Sequence, residues 1–329
     1  MKTPFITNIL KRVAPRIGAK LIIEPEYEFV GQIILKNGKK AYFNNRNFNI
    51  NPLGSVMLVK DKAYTKFFLN KLGYKTPKGQ TFFSEKLNSN IKTKRTIDDG
   101  FLYAQNIGFP VILKPNAKSQ GVDVIKVYNK SSYYKAARRI LKTSAVMIVE
   151  EYCDNLRDYR VVVLDNKVIS AYERIPFSII GNGKDTIETL IKNKFKKFIS
   201  EKREIEIEET DPRIQESLKK QKFNSKTILE KNKKIFLLDN ANLSTGGDSI
   251  DVTDTIHSSF KKIAINATRD MGLRLSGVDI MTADITKSHD YVILELNGAP
   301  GLDNYAASGK VQEQRVDELY LAILRALEK

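Results

Sequence analysis

An α/β fold of the α+β kind is predicted by three features of the sequence. Apolar runs of strand length recur along it, among them Val111-Ile112-Leu113, Val146-Met147-Ile148-Val149 and Tyr291-Val292-Ile293-Leu294. Between such runs lie stretches of helical spacing closed by glycine, such as residues 62–72 before Gly73 and 97–107 before Gly108. The 329 residues are 42% hydrophobic, enough to bury the cores of two or three packed units.

Residues 1–59 read as a small α/β unit, with a helix over 5–13 that ends before Pro15. Strands are expected at 21–23, 32–35 and 40–43, the last two joined by the hairpin turn Asn37-Gly38. Asp61 is the expected N-cap of the 62–72 helix. After the second helix, a strand over 110–114 leads through the polar loop 116–122 to a strand over 124–127. A helix at 131–141 and a strand at 146–149 follow, with Glu150 to Asp154 at the strand exit. Residues 158–164 and 167–174 form a hairpin about Asp165-Asn166, and Ser170, Tyr172 and Arg174 share a face of its second strand. Residues 181–234 are polar. They hold a turn at 181–184, a helix at 186–199 and the charged run 201–209, read as a solvated helix or mobile insertion rather than a binding arm. A strand at 234–238, a helix at 256–271 and a terminal helix at 316–328 complete the order.

Lysine and arginine outnumber the acids, for a net charge of +17. Such an excess points to nucleic acid, a membrane surface or anionic substrates. The lysines are scattered, however, and abundant Asn and Ile suggest AT-rich codon bias. There is no paired Cys/His finger and no aromatic-centred RNA-binding signature, so no nucleic-acid partner is expected. What remains is an anionic substrate, and nucleotide phosphates qualify. No apolar run reaches membrane-spanning length, and the basic N-terminus lacks the apolar core of a signal peptide. With Cys153 alone, no internal disulfide forms; a cytoplasmic location with no membrane partner is expected.

The chemistry concentrates near the C-terminus. Residues 277–281 and 291–297 form a hairpin in which Glu295 and Asn297 point one way, while Leu294 and Leu296 point into the core. If the hairpin turns near Lys287 or Ser288, Asp279 lies across from them and three oxygen ligands converge, a set that suits Mg²⁺. The alternative is a solvated hairpin face. It is weakened by Gly298-Ala299-Pro300-Gly301, a tight backbone passage directly after the ligands. The loop 118–122 has the make-up of a phosphate-cradling loop, although many turns between strands look similar, and no P-loop occurs.

Several ordered motifs agree: Ala241-Asn242-Leu243-Ser244-Thr245-Gly246-Gly247, Ile250-Asp251-Val252-Thr253-Asp254, Gly277-Val278-Asp279-Ile280 and Glu295-Leu296-Asn297-Gly298-Ala299-Pro300-Gly301. Together they resemble the ATP-grasp superfamily over about residues 60–329. The chain looks most like the ATP-grasp module of cyanophycin synthetase. Bifunctional glutathione synthetases and the glutamate ligase that modifies a ribosomal protein are more distantly similar.

The resemblance implies an ATP-grasp fold, two α/β subdomains that clasp ATP. Residues 60–149 and 150–329 would form the two parts, after the small region 1–59. It implies that Lys62 and Lys114 contact ATP phosphates and that the loop of Lys118, Ser119, Gln120, Gly121 and Val122 closes over them. Glu150, Glu151, Tyr152 and Cys153 match the adenine hinge, with Asp158 in the region that reaches the ribose. Arg160, Arg174 and Asn242 match polar positions near the phosphates or the acyl intermediate, and Asp279, Glu295 and Asn297 match the ligands of Mg²⁺, or of Mn²⁺ in its place. Plainer roles stay open: Lys62 as a helix-face lysine, Arg160 paired with Asp158, and Cys153 as an inert hinge residue.

Many members place an Arg just before the residue matching Asp279. Here Ser276-Gly277-Val278 stands there, so Arg174 is the expected stabiliser of the acyl intermediate. The implied activity is ATP-dependent carboxylate–amine ligation through an acyl phosphate, on amino-acid or peptide substrates, by a homodimer or homotetramer. The alternative is an ATP-grasp phosphotransferase or nucleotide-binding accessory protein without ligase activity. Substrate selection is expected in 302–309, 181–234 and 1–59.

Overall fold

The computed structural model describes residues 3–329. The N-terminal part begins with α1 (Phe5–Val13), whose Ile6, Ile9, Leu10 and Val13 recur at helical spacing and are all buried. Four short strands follow, β1 (Lys20–Ile23), β2 (Val30–Ile34), β3 (Lys40–Asn44) and β4 (Asn47–Phe48), as an antiparallel meander. The two-residue turn Asn45-Arg46 joins the last two, with Asn45 in the left-handed region that asparagine tolerates. A helix absent from the sequence reading, α2 (Leu53–Lys60), starts after Pro52. It leads to α3 (Lys62–Lys71), where Asp61 caps the first turn by accepting from the Tyr64 amide, as expected.

The next lobe contains β5 (Gly79–Phe83), α4 (Glu85–Ile91), α5 (Ile97–Ile107), β6 (Val111–Pro115), β7 (Ile125–Val127), α6 (Lys130–Thr143) and β8 (Val146–Glu151). Its antiparallel sheet has the order β5-β8-β6-β7, and α5 and α6 cover it through Phe82, Val111, Leu113, Tyr133 and Ile140. Strand β8 extends past its apolar stretch. Glu150 pairs with Gly79 and Glu151 with Val111, so both acids lie inside the strand rather than at its exit.

The rest of the chain comprises β9 (Arg157–Leu164), β10 (Lys167–Ile175), β11 (Ser178–Ile180), α7 (Ile187–Ser200), α8 (Pro212–Lys220), β12 (Lys234–Phe236), β13 (Asp248–Asp251), α9 (Ser258–Asp270), β14 (Leu275–Thr282), β15 (Tyr291–Asn297), α10 (Asp303–Ala306) and α11 (Lys310–Glu328). A five-stranded sheet has the order β13-β10-β9-β14-β15. One side of it packs on α9; the other meets α11, which shares a core with α1 and the N-terminal meander. Among the described residues no helix is long and apolar enough to cross a membrane.

Two expectations are corrected here. The run 201–209 is neither a solvated helix nor a loose insertion. In Glu204-Ile205-Glu206-Ile207, apolar and acidic residues alternate, so an extended chain turns its isoleucines onto one side. They join Phe177, Ile187, Ile191, Phe198 and Leu237 in a separate small core. The Arg203 side chain is nearly inaccessible too, bonding the carbonyls of Leu243 and Gly247 and stacking over Phe198.

The second correction concerns Leu294, which lines the large cavity instead of the core. Between the pairs Asp279–Glu295 and Ile280–Ile293 the register shifts, leaving Leu294 as the extra residue of a bulge. Ile293 and Leu296 fill the core in its place, and Glu295 and Asn297 keep their common face.

Asn51 ties the N-terminal part to this hairpin. Its amide donates to the carbonyls of Leu275 and Gly298, both at 2.8 Å, and its carbonyl accepts from the amides of Arg274 and Leu275. Because Asn51→Ala strands four backbone groups, it should lower unfolding free energy by about 2–3 kcal/mol in urea titration. A change within about 0.5 kcal/mol would show that water replaces these bonds freely.

Candidate functional site

One cavity of about 1000 Å³ gathers every residue singled out from the sequence as a site residue. Its floor is built by strand pairing. Asp279 of β14 stands opposite Glu295 of β15 on one side and opposite Arg160 of β9 on the other. Arg160 grips both Asp279 oxygens, and Arg174 of β10 donates to Asp279 Oδ2 at 2.8 Å and to Asp158 Oδ1 at 2.7 Å. The alternative pairing of Arg160 with Asp158 is therefore corrected: cross-strand register gives Arg160 to Asp279, and Arg174 takes Asp158. Burial, with the Glu295 charge beside it, drives the Asp279 carboxyl up; the two guanidinium groups oppose it.

Gly277 explains the absent arginine. A Cβ there would lie 2.9 Å from Arg160 Cδ and from Pro300 Cβ. The space that a side chain at 277 would need is already filled by Arg160, which delivers its charge to Asp279 from the neighbouring strand.

Glu295 accepts from the Asn297 amide at 3.2 Å and lies 3.6 Å from Lys62 Nζ. Burial would raise its carboxyl, but Lys62, Arg160 and Lys114 outweigh it and hold the group down to about 2. Two carboxylates and an amide oxygen face the cavity from β14 and β15, oxygen donors of the kind that hard divalent cations take, with both Asp279 oxygens also engaged by guanidinium groups. Among the described residues no group of three His, Cys, Asp or Glu side chains could hold a metal by itself.

On the opposite wall, Glu150 of β8 bridges two lysines, Lys114 of β6 at 2.6 Å and Lys66 of α3. All three are more than nine-tenths buried. Burial raises the Glu150 carboxyl, yet Lys114 and Lys66 together carry it below its ordinary value. Lys66 is drawn down chiefly by burial. The sequence reading missed Lys66 because a lysine on a helix looks solvated until the helix is docked. Asn116, at the exit of β6, fixes the start of α3 by bonding Asp61 and the amides of Lys62 and Ala63. This aims Lys62 at the cavity, where it also donates to the Lys118 carbonyl at 2.6 Å.

The loop from Lys118 to Val122 reaches across the cavity. Gln120 donates to Glu206, and a Cβ on Gly121 would collide with the amides of Asn240 and Asn242. Gly121, at φ 69°, thus combines a left-handed backbone with a close approach that only glycine allows. Ser119 accepts the Val122 amide and helps close the loop's turn. Lys118 is held by Asp123 and Thr143.

Past Glu151 the β8 ladder stops, so the peptide groups of Tyr152 and Cys153 lie outside the sheet at the cavity wall. Glu151 itself is tied to the Lys78 amide, and Lys126 sits 3.4 Å over the Tyr152 ring. Burial, with help from Glu150 and Glu151, pushes the Cys153 thiol up to about 11. Its thiolate fraction at pH 8 should fall about a hundredfold below that of an ordinary thiol. Iodoacetamide should therefore label Cys153 about a hundredfold more slowly than a small thiol; a comparable rate by mass spectrometry would contradict an inert hinge residue.

The cavity lining holds eight cationic and ten anionic side chains, so the +17 excess of the chain is not focused there. Recognition of an anion rests instead on individually placed cations. Lining residues that the sequence reading did not single out include Arg46, Glu204, Glu206 and Asp303. For Glu204 and Glu206 the signal was present in the Glu/Ile alternation.

Comparison with known proteins adds the following. The family described as the RimK-like ATP-grasp domain matches at residues 60–184 and 239–316. The glutathione biosynthesis bifunctional protein of Desulfotalea psychrophila is 26% identical over 307 residues, 89% of this chain and 37% of that protein. Cyanophycin synthetase of Geminocystis herdmanii is 34% identical over 266 residues, 77% of this chain and 28% of that protein. The chain thus spans about a third of these relatives. Among solved structures, a bifunctional glutathione synthetase from Pasteurella multocida superposes with a TM-score of 0.63 at 22% identity, covering 97% of this chain and 44% of the other. The two share a fold.

Proposed function

Because this chain belongs to the RimK-like ATP-grasp family and has an ATP-grasp fold, we propose that it is an ATP-dependent carboxylate–amine ligase. The observation that carries the reading is the convergence of Lys62, Lys114, Arg160, Arg174, Asp279, Glu295 and Asn297 on one cavity.

A carboxylate is a poor electrophile, because its charge and resonance resist attack by an amine. Ligases of this chemistry convert it to an acyl phosphate at the expense of ATP; an amine then displaces phosphate to give an amide. The chain's own residues supply position and charge. Lys62 and Lys114 neutralise phosphate oxygens, and Arg174 and Arg160 face the acyl group. Asn242 orients the reacting end, and the loop from Lys118 to Val122 excludes water that would hydrolyse the intermediate. Glu150 keeps Lys114 in place, while the backbone of Tyr152 and Cys153, with Asp158 nearby, receives the nucleoside. Asp279, Glu295 and Asn297 would hold Mg²⁺, or Mn²⁺ in its place, which supplies charge neutralisation at the phosphates when bound.

A phosphotransferase or accessory protein would be favoured by a site that lacks the guanidinium many members place before the residue matching Asp279. Arg160 supplies that guanidinium from β9, which favours the ligase reading. The substrates we propose are amino acids or short peptides, in a cytoplasmic homodimer or homotetramer without nucleic-acid or membrane partners.

The test is ADP release with Mg²⁺ and ATP against pooled amino acids, dipeptides and small polyamines, followed by mass spectrometry. The expected product is a new mass equal to two reactants minus water. Tight ATP binding with no amide product across the pools would overturn the ligase reading.

A further inference from the structure

Two cavity walls come from outside the family match: the turn Asn45-Arg46 and the stretch around Glu204. Arg46 reaches over the backbone of Gly301, so closely that a Cβ on Gly301 would lie 2.6 Å from its Nη1. Glycine at 301 therefore keeps the guanidinium's path to the cavity open. Gly301 ends the passage that starts after Asn297, so the seat of Arg46 is four residues from the last candidate metal ligand. That is at most about 14 Å of chain, within the span of a short peptide.

The Arg46 charge is only loosely committed. Asp303 of α10 stands 3.4 Å away, and among the described residues the guanidinium makes no hydrogen bond. The next residue, Asn304, grips the backbone of Glu204 from both sides, at 3.0 Å each. This presents an exposed carboxylate to the same cavity. Lys62 and Lys114, the cations assigned to phosphate, belong to α3 and β6 instead. A planar fork of five N–H donors with one ion-pair partner at 3.4 Å and no hydrogen bond among the described residues has donors left to receive a second carboxylate.

We infer that Arg46 anchors a non-reacting carboxylate of the amino-acid or short-peptide substrate. It thereby selects substrates that keep a free carboxylate at that end. The inference rests on the ligase reading and adds a substrate-binding residue to it.

The experiment uses the full chain with Mg²⁺ and a non-hydrolysable ATP analogue. The probes are glycine, L-alanine, L-aspartate, L-arginine and glycylglycine, each as free acid and as C-terminal carboxamide. Binding is read by calorimetry, and ADP release is measured in parallel with ATP. At least one acid should bind about 10- to 100-fold more tightly than its carboxamide. Arg46→Met should remove that preference while the carboxamide binds as before, and Arg46→Lys should restore part of it, because a point charge replaces the fork. Equal thermal stabilisation of wild type and Arg46→Met by the ATP analogue alone verifies folding; the wild-type acid–amide comparison and Arg46→Lys stand without it. The anchor is overturned if no acid binds, if wild type binds acids and carboxamides alike, or if Arg46→Met keeps the preference. Arg46-dependent acid binding without ADP release or amide product would instead sink the ligase reading and spare the anchor.

Discussion

Asp279→Asn is expected to lower kcat for ADP release by about a hundred- to a thousandfold, the usual effect of removing one preorganised charge from a reacting centre. The substitution keeps the side chain's size and one acceptor oxygen but removes a full negative charge from between Arg160 and Arg174. It also removes one of the two candidate metal carboxylates. Arg174 retains Asp158, whereas Arg160 loses the carboxylate it grips, so some loss of stability accompanies the loss of rate. Near-UV circular dichroism at a temperature well below the melting transition separates the two effects. A folded variant with kcat within about tenfold of wild type would remove Asp279 from the site.

Glu150→Leu should lower unfolding free energy by about 3–5 kcal/mol, since it leaves two lysines buried without a counter-charge. Lys66 and Lys114 are each within contact of that one carboxylate, and all three side chains are nearly inaccessible. The pH dependence gives a second check. The Glu150 carboxyl is held below its ordinary value, so its contribution is complete above the unfolded carboxylate range, near pH ~4.3. It fades as the pH falls through the lowered native value. The gap between wild type and variant should therefore be widest near neutrality and narrow in acid. A gap that widened as the pH dropped would mean that Glu150 is protonated in the native protein.

The parts of the site that could be read from sequence are those carried by local pattern. Asp279, Glu295 and Asn297 sit on strands whose period of two fixes their face, and Asp61 and Gly73 mark the ends of a helix by local rules. Arg160 is legible as a polar site position, but its partner is not: Asp158 stood open as an alternative, and the partner is decided by the register of β9 against β14, strands separated by more than a hundred residues. Lys66 was invisible for a different reason: only the docking of α3 against β8 takes it out of water. Leu294 was misplaced by a bulge, a single unpaired residue that no alternation rule anticipates. In the stretch around Glu204 the period-two alternation is present, but four residues of it inside a charged run do not say which face is buried until Ile205 and Ile207 dock on Phe177 and Phe198. Asn51 carries no local signal, since its four partners lie far along the chain.

The pairing of β11 with β12 has a further consequence. Ser178 stands opposite Phe236, so the two ends of the segment between them are one ladder rung apart, about 5 Å. The segment has its own apolar centre, and its entry and exit adjoin. A stretch with those properties can be replaced by another of different length with little added loop-closure entropy. It has the make-up of a cassette: recombination between related genes could exchange it whole, and a designer could do the same, altering one wall of the cavity while the strands bearing Asp279, Glu295 and Lys114 stay untouched.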